Sequence, residues 1–195
     1  MKILVLVMAT CLLGNAVSAK TRVSNPSHTH PAPGTSIVRF AEVDKGVYRG
    51  STPKNKADFR FLQSKHIKYI IDLEFWPLLS LPEKGKAKKY GMVFIHALIN
   101  GSPVAPSESH VDRILATLRD KRHHPVYFHC VLGRDRTGLI AALYKMYFLG
   151  VPREAAWREM QAFGFNDSWT LHGLKSYLEK HPTPPRSLAT AKPLR

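Results

Sequence analysis

His129-Cys130-Val131-Leu132-Gly133-Arg134-Asp135-Arg136-Thr137-Gly138 is the stretch on which the reading of this 195-residue chain turns. It sets a cysteine and an arginine six positions apart, with a glycine between them and a hydroxyl residue directly after. Upstream, Pro125 to Phe128 has the character of a short buried strand, and downstream Leu139 to Leu149 that of an apolar helix. The stretch is therefore predicted to join a strand to a helix N-terminus, where unpaired N–H donors and roughly half a positive charge favour a phosphate dianion and a thiolate alike. Arg134, Arg136 and His129 add positive charge, which favours the ionised form of Cys130 as nucleophile. Arg136 can hold two phosphate oxygens bidentately, as lysine cannot. The backbone of Val131, Leu132, Gly133 and Arg134 would cradle the anion, and Thr137 can donate its hydroxyl to the sulfur when a phosphocysteine breaks down. The plain alternative, an inert strand-end cysteine beside surface arginines, leaves the joint placement of glycine, arginine and threonine unexplained.

This segment resembles the signature loop of the protein tyrosine phosphatase superfamily: His-Cys, five residues, Arg, then Thr or Ser. Within it, Gly133-Arg134-Asp135-Arg136-Thr137-Gly138 is similar to the bacterial atypical branch that reads Gly-Lys-Asp-Arg-Thr-Gly, with Arg134 in place of lysine. It is also similar to the cysteine-dependent inositol polyphosphatases, or phytases of the tyrosine phosphatase type, and to small atypical dual-specificity phosphatases. The resemblance spans roughly Gly46 to Glu179 in the order of its elements. It implies an α/β domain with a central, mostly parallel sheet flanked by helices, a phosphocysteine intermediate, and neither metal nor cofactor. The substrate it implies is an anionic phosphorylated small molecule, with a tyrosine, dual-specificity or phosphoinositide phosphatase as the alternative. In most relatives the loop that here reads Asn100-Gly101-Ser102-Pro103 supplies an aspartate as general acid, a role Asn100 cannot play. The atypical branch points instead to Asp135 as the acid. The competing reading has Asp135 capping the helix that follows, with Glu108 and Asp72 as further candidate acids. Tyr48-Arg49-Gly50-Ser51-Thr52-Pro53 resembles the segment in which small phosphatases carry a supporting arginine, here Arg49.

The first nineteen residues read as a signal peptide: Lys2 as the positive start, Ile3 to Leu13 as an apolar run too short to span a membrane, and Val17-Ser18-Ala19 as the cleavage site. The expected location is periplasmic or secreted. Cleavage would remove Cys11 and leave Cys130 as the single thiol, incompatible with an internal disulfide. The formal net charge of +15 would fall to +14 with the loss of Lys2. Such a field speeds encounter with polyanions. The basic residues are spread over helices and tail with no nucleic-acid module, which excludes a specific nucleic-acid reader. Oligomeric state leaves no mark on the sequence.

Lys20 to Ser36 reads as a flexible leader, residues 37–180 as the phosphatase domain, and 181–195 as a loose, basic, proline-rich tail. Within the domain the expected strands are Ile37 to Phe40, Val47 to Arg49, Ile67 to Leu73 and Met92 to Ala97. The expected helices are Ala57 to Lys65, Lys84 to Tyr90, Ser107 to Lys121, Arg153 to Phe163 and Trp169 to Lys180. Strands alternating with helices predict a mostly parallel sheet with helices on both faces.

Overall fold

The computed structural model describes residues 30–100, 103–165, 167–168 and 171–194. The proposed signal peptide, Gly101, Ser102 and Trp169 lie outside the described residues.

The chain forms β1 (Ala41–Asp44), β2 (Val47–Ser51), α1 (Lys56–Ser64), β3 (Tyr69–Asp72), α2 (Pro77–Lys89), β4 (Val93–His96), α3 (Glu108–Arg119), β5 (Val126–Cys130), α4 (Arg136–Phe148), α5 (Arg153–Ala162) and α6 (His172–Lys180), with short 3-10 turns at Lys121–His123 and Arg186–Thr190. The sheet order is β1-β2-β5-β3-β4. β1 pairs antiparallel with β2, and every other pairing is parallel. The carboxyl ends of β2, β3, β4 and β5 thus share one edge, where open α/β sheets carry their sites.

Alternation along the strands divides the core in two. Ile71, Leu73, Val126, Phe128 and Cys130 belong to the cluster that includes α3, α4 and α6 residues, whereas Ile70 and Tyr127 pack with Phe59 and Leu62 of α1 and Ala87 of α2. Helix α4 is buried over most of its length, since α5 and α6 both contact it. This explains its apolar composition: a helix covered on several sides needs no polar stripe. Asn55 opens α1 through a capping box with Asp58. Asp58 also accepts bonds from the backbone and hydroxyl of Ser36, 2.7 Å each.

Four expectations need correction. The strand predicted over Ile37 to Phe40 forms instead at Ala41–Asp44, because Arg39 takes a left-handed backbone (φ 59) that breaks the extended run. Helix α2 begins seven residues before the expected Lys84, with Pro77 in its first turn and Pro82 inside it. The end of the leader is anchored: Ser36 is held by Asp58 and Ile37 is fully buried. The segment 181–194 is docked rather than loose, with Leu188 and Leu194 buried, the Leu194 amide donating to Thr117 Oγ1 (2.8 Å) and the Ser187 hydroxyl to Asp112 (2.6 Å).

Candidate active site

Cys130 ends β5, and the loop 131–135 carries the chain into α4 at Arg136. What fixes the loop is Gly133. Its φ is +65, and a Cβ there would lie 2.4 Å from the carbonyl carbon and oxygen of Gly50 and 2.6 Å from the Ser51 nitrogen. Only glycine lets the loop lie against β2 so closely.

The loop's carbonyls are held from outside. Cys130 O accepts from the amides of Thr52 (3.1 Å) and Gly133 (3.2 Å), Leu132 O from Arg39 Nη1 (3.2 Å), and Gly133 O from Arg49 Nη2 (2.9 Å). A trans peptide sets its N–H opposite its C=O, so tying Gly133 O to Arg49 turns the Arg134 amide the other way, away from the scaffold. The first turn of α4 continues this array of donors, which is what an anion-binding helix start requires.

Arg49 is almost wholly buried, and its guanidinium lies 3.8 Å from the centre of the Phe163 ring. Burial pulls its pKa down to about 10, against the opposing charges of Glu159 and Cys130, and it stays charged at neutral pH. Arg39 donates from Nε to Phe163 O (2.6 Å), and burial, then the neighbouring Arg134, lowers its pKa. Both arginines interact electrostatically with Cys130. So does His129, fully buried on the other face, with Nε2 2.8 Å from Glu83 Oε1 and Nδ1 3.8 Å from Asp72 Oδ1. Burial alone would lower the His129 pKa, but the charge of Glu83, 2.8 Å away, then that of Asp72, lifts it to about 9. A protonated imidazole therefore directly precedes the buried Cys130 in the sequence, on the opposite face of β5.

Arg136 donates from Nε to Ile99 O (2.8 Å), and its Nη1 lies 3.7 Å from Glu74 Oε2. The same carboxylate oxygen accepts from the Val131 amide at 3.4 Å, which brings the end of β3 against the loop. Thr137 is fully buried, and its hydroxyl makes no hydrogen bond among the described residues.

The other predicted residues divide. Asp135 is the N-cap of α4 yet makes no side-chain cap bond; its carboxylate faces Arg134 Nε at 3.0 and 3.2 Å, so the capping role is not what this geometry uses. Asp72 holds the turn after β3 through the Glu74 amide (2.9 Å) and the Ser80 hydroxyl, a structural position rather than that of an acid. Glu108 is bound to His181 (3.0 Å) and Ser187 (3.1 Å) of the C-terminal segment, not to the loop, which removes it as a candidate acid. Among the described residues no group of three or more histidines, cysteines or acids is placed to hold a metal ion.

Three contributors escaped the sequence reading: Arg39, Phe163 and Glu83. A proline at the first helical position was available for Glu83, since Pro77 marks the true start of α2 and carries Glu83 onto it. Nothing local marks Arg39 or Phe163.

A strand-to-helix loop of this shape, with a buried cysteine at its start and an arginine at its end, defines a cysteine-dependent phosphatase fold. The sequence pattern of the tyrosine phosphatase family matches residues 36–168, and the chain belongs to that family. It is 37% identical over 79 residues to the dual specificity protein phosphatase TpbA of Pseudomonas aeruginosa, covering 36% of each chain. It is 32% identical over 115 residues to the inositol diphosphatase DSP3 of Arabidopsis thaliana, covering 55% of this chain and 54% of that one. The chain thus spans between about a third and a half of the curated relatives it matches. The crystal structure of TpbA superimposes with a TM-score of 0.61 at 24% identity, over 80% of this chain and 91% of that one. The core catalytic domain of the PP-IP phosphatase SIW14 from S. cerevisiae, in complex with citrate, also gives a TM-score of 0.61, at 22% identity over 72% and 83%.

Proposed function

We propose that the protein is an exported, cysteine-dependent phosphomonoesterase that hydrolyses inositol polyphosphates through a phosphocysteine intermediate. The observation that carries the chemistry is the loop itself, whose carbonyls are tied outward by Arg39, Arg49 and Thr52 around the single described cysteine. Donors fixed in advance at a site of developing negative charge are the largest single source of rate in such sites. In the first step the Cys130 thiolate forms the S–P bond as the ester P–O bond breaks, with Arg136 holding two equatorial oxygens and the leaving oxygen taking a proton from Asp135. In the second, water attacks phosphorus, Asp135 takes back a proton, and the S–P bond breaks as Thr137 donates to the departing sulfur. No step calls for a metal.

The substrate assignment rests on the formal charge, +15 for the full chain and +14 after loss of Lys2, and on the likeness to an inositol diphosphatase. Export rests on the composition of residues 1–19. A second reading, hydrolysis of phosphotyrosine or phosphoserine in proteins, is favoured by the match to TpbA. Release of inorganic phosphate from inositol hexakisphosphate, set against release from a phosphotyrosine peptide, decides between them. Faster release from the inositol ester supports the proposal, and release from the peptide alone overturns it.

A further inference from the structure

Helix α2 is built inside out over its first two turns. It buries Ser80 and Glu83, which face Asp72 and His129, and leaves Leu78 and Leu81 79% and 60% exposed. Trp76, directly before the helix, is 62% exposed and meets Phe75 edge to face with ring centres 5.1 Å apart. From Phe75 to Pro82 the sequence carries no charge, and its one polar side chain, Ser80, is turned inward. Two further apolar side chains, Val131 (41% exposed) and Leu132 (45%), stand on the Cys130 loop, which the Glu74 carboxylate joins to this segment through the Val131 amide. A lone exposed leucine is ordinary. Five large exposed apolar side chains, on the Cys130 loop and on the segment that Glu74 ties to it, mark an interaction surface.

The charge around the patch identifies its occupant. Leu78 and Leu81 lie three residues apart and so share a face of α2, and three and seven residues beyond Leu81 the same face carries Lys84 and Lys88, both exposed. The lysines stand about 4.5 and 10 Å farther along the helix axis. An apolar tip with ammonium groups set back from it suits the boundary between acyl chains and anionic headgroups, where apolar burial and attraction of Lys to anionic lipid act together. Tryptophan favours the same boundary.

We infer that Trp76, Leu78, Leu81, Val131 and Leu132, backed by Lys84 and Lys88, dock the protein on an anionic phospholipid bilayer, with the Cys130 loop facing the headgroups. The inference takes from the proposed function only the identity of the opening as a substrate mouth, and binding can be measured apart from turnover. The test is co-sedimentation with vesicles of phosphatidylcholine alone or mixed with phosphatidylglycerol, using wild type, Cys130→Ser, Leu78→Gln/Leu81→Gln and Lys84→Gln/Lys88→Gln. Wild type and Cys130→Ser should bind the anionic vesicles and not the neutral ones. The leucine pair should lower partitioning by about tenfold or more, given the apolar surface it withdraws, and the lysine pair should weaken it in a salt-dependent way. Hydrolysis of a soluble aryl phosphate should stay at the wild-type rate in both pairs, showing that they fold. Absence of binding to anionic vesicles, or binding untouched by the leucine pair, overturns the inference. Self-association that the leucine pair abolishes, without vesicle binding, would assign the surface to a second copy of the chain instead. Loss of aryl phosphate turnover in wild type, with vesicle binding intact, would count against the proposed function alone.

Discussion

The His129–Glu83 pair makes stability depend on pH in a way that can be worked out in advance. In the folded protein the imidazole is fully buried, and its pKa stands at about 9 against 6.5 for an ordinary histidine, because Glu83 and Asp72 together outweigh the cost of burying the charge. The sign follows from which state holds the proton. Above pH 6.5 the unfolded chain releases it while the folded chain keeps it, so the pair's contribution is fully present below about pH 6.5 and is lost as pH rises through about 9. The gap between the two values corresponds to about 3 kcal/mol.

Urea unfolding of wild type, His129→Asn and Glu83→Gln between about pH 6 and pH 10 measures this. Wild type should lose about 3 kcal/mol relative to His129→Asn over the interval, most of it between pH 7 and 9. Glu83→Gln should flatten the curve, because the partner that holds the proton is gone. Other groups titrate above this window with opposite effects. Arg49, lowered to about 10, makes the folded state relatively more stable as pH rises through that value, whereas the Tyr127 phenol, whose pKa burial raises, works the other way. Comparison with His129→Asn removes both from the difference. Equal pH slopes in wild type and His129→Asn would refute the reasoning, as would a neutral imidazole in the nitrogen NMR spectrum of the folded protein at pH 7.5.

Gly133→Ala should drop turnover by about a hundredfold or more, because the added carbon meets the Gly50–Ser51 peptide of β2, which cannot yield, and the loop must move off its geometry; near-normal kinetics would mean that the loop is not pinned by Gly50. Arg136→Lys should reduce rates by orders of magnitude, since a point charge loses the two-oxygen grip together with the bond to Ile99 O; steady-state kinetics and binding of a phosphate analogue check it, and wild-type turnover would assign the grip to another arginine. Asp135→Asn should slow hydrolysis of an inositol phosphate far more than that of an activated aryl phosphate, because only the inositol oxygen must be protonated as it leaves; equal losses on both would place the acid elsewhere. Raising salt should depress hydrolysis of an inositol polyphosphate more than that of a singly phosphorylated ester, as screening weakens attraction beyond about 8 Å; equal sensitivity would favour the protein phosphatase reading.

The loop was legible because everything that defines it is contiguous: strand, cysteine, glycine, arginine and helix follow one another within 24 residues, from Pro125 to Phe148. The parallel sheet was legible for a similar reason, since the alternation of elements constrains it. What escaped detection has long-range causes. His129 gains its partner from Glu83, 46 residues earlier, on a helix whose start the hydrophobic pattern conceals. Arg39 reaches Leu132 and Phe163 from a backbone conformation that the run Ile37-Val38-Arg39-Phe40 does not announce. The C-terminal segment looks like a tail by composition, and it is held by the burial of Leu188 and Leu194 together with hydrogen bonds to Glu108, Asp112 and Thr117 of α3, contacts that composition does not show.

These long-range contacts share one origin in the period-2 geometry of β5. Successive side chains on a strand face opposite ways, so Cys130 turns toward the α3–α4 side while His129 turns toward α1 and α2. A cation placed beside the sulfur through one peptide unit must then be balanced from the second face, and in a dry interior a buried charge without a partner costs several kcal/mol. Helix α2 supplies that balance with Glu83, while Ser80 and the Asp72 it holds complete the network. Turning Ser80 and Glu83 inward rotates Leu78 and Leu81 outward, because one helix cannot face both sets of side chains toward the sheet. The protonated histidine beside Cys130 and the exposed leucines of α2 are therefore two consequences of the same helix orientation. A sequence with Leu78 and Leu81 turned to the sheet would carry Ser80 and Glu83 into solvent, and would lose the charge that balances His129 in doing so.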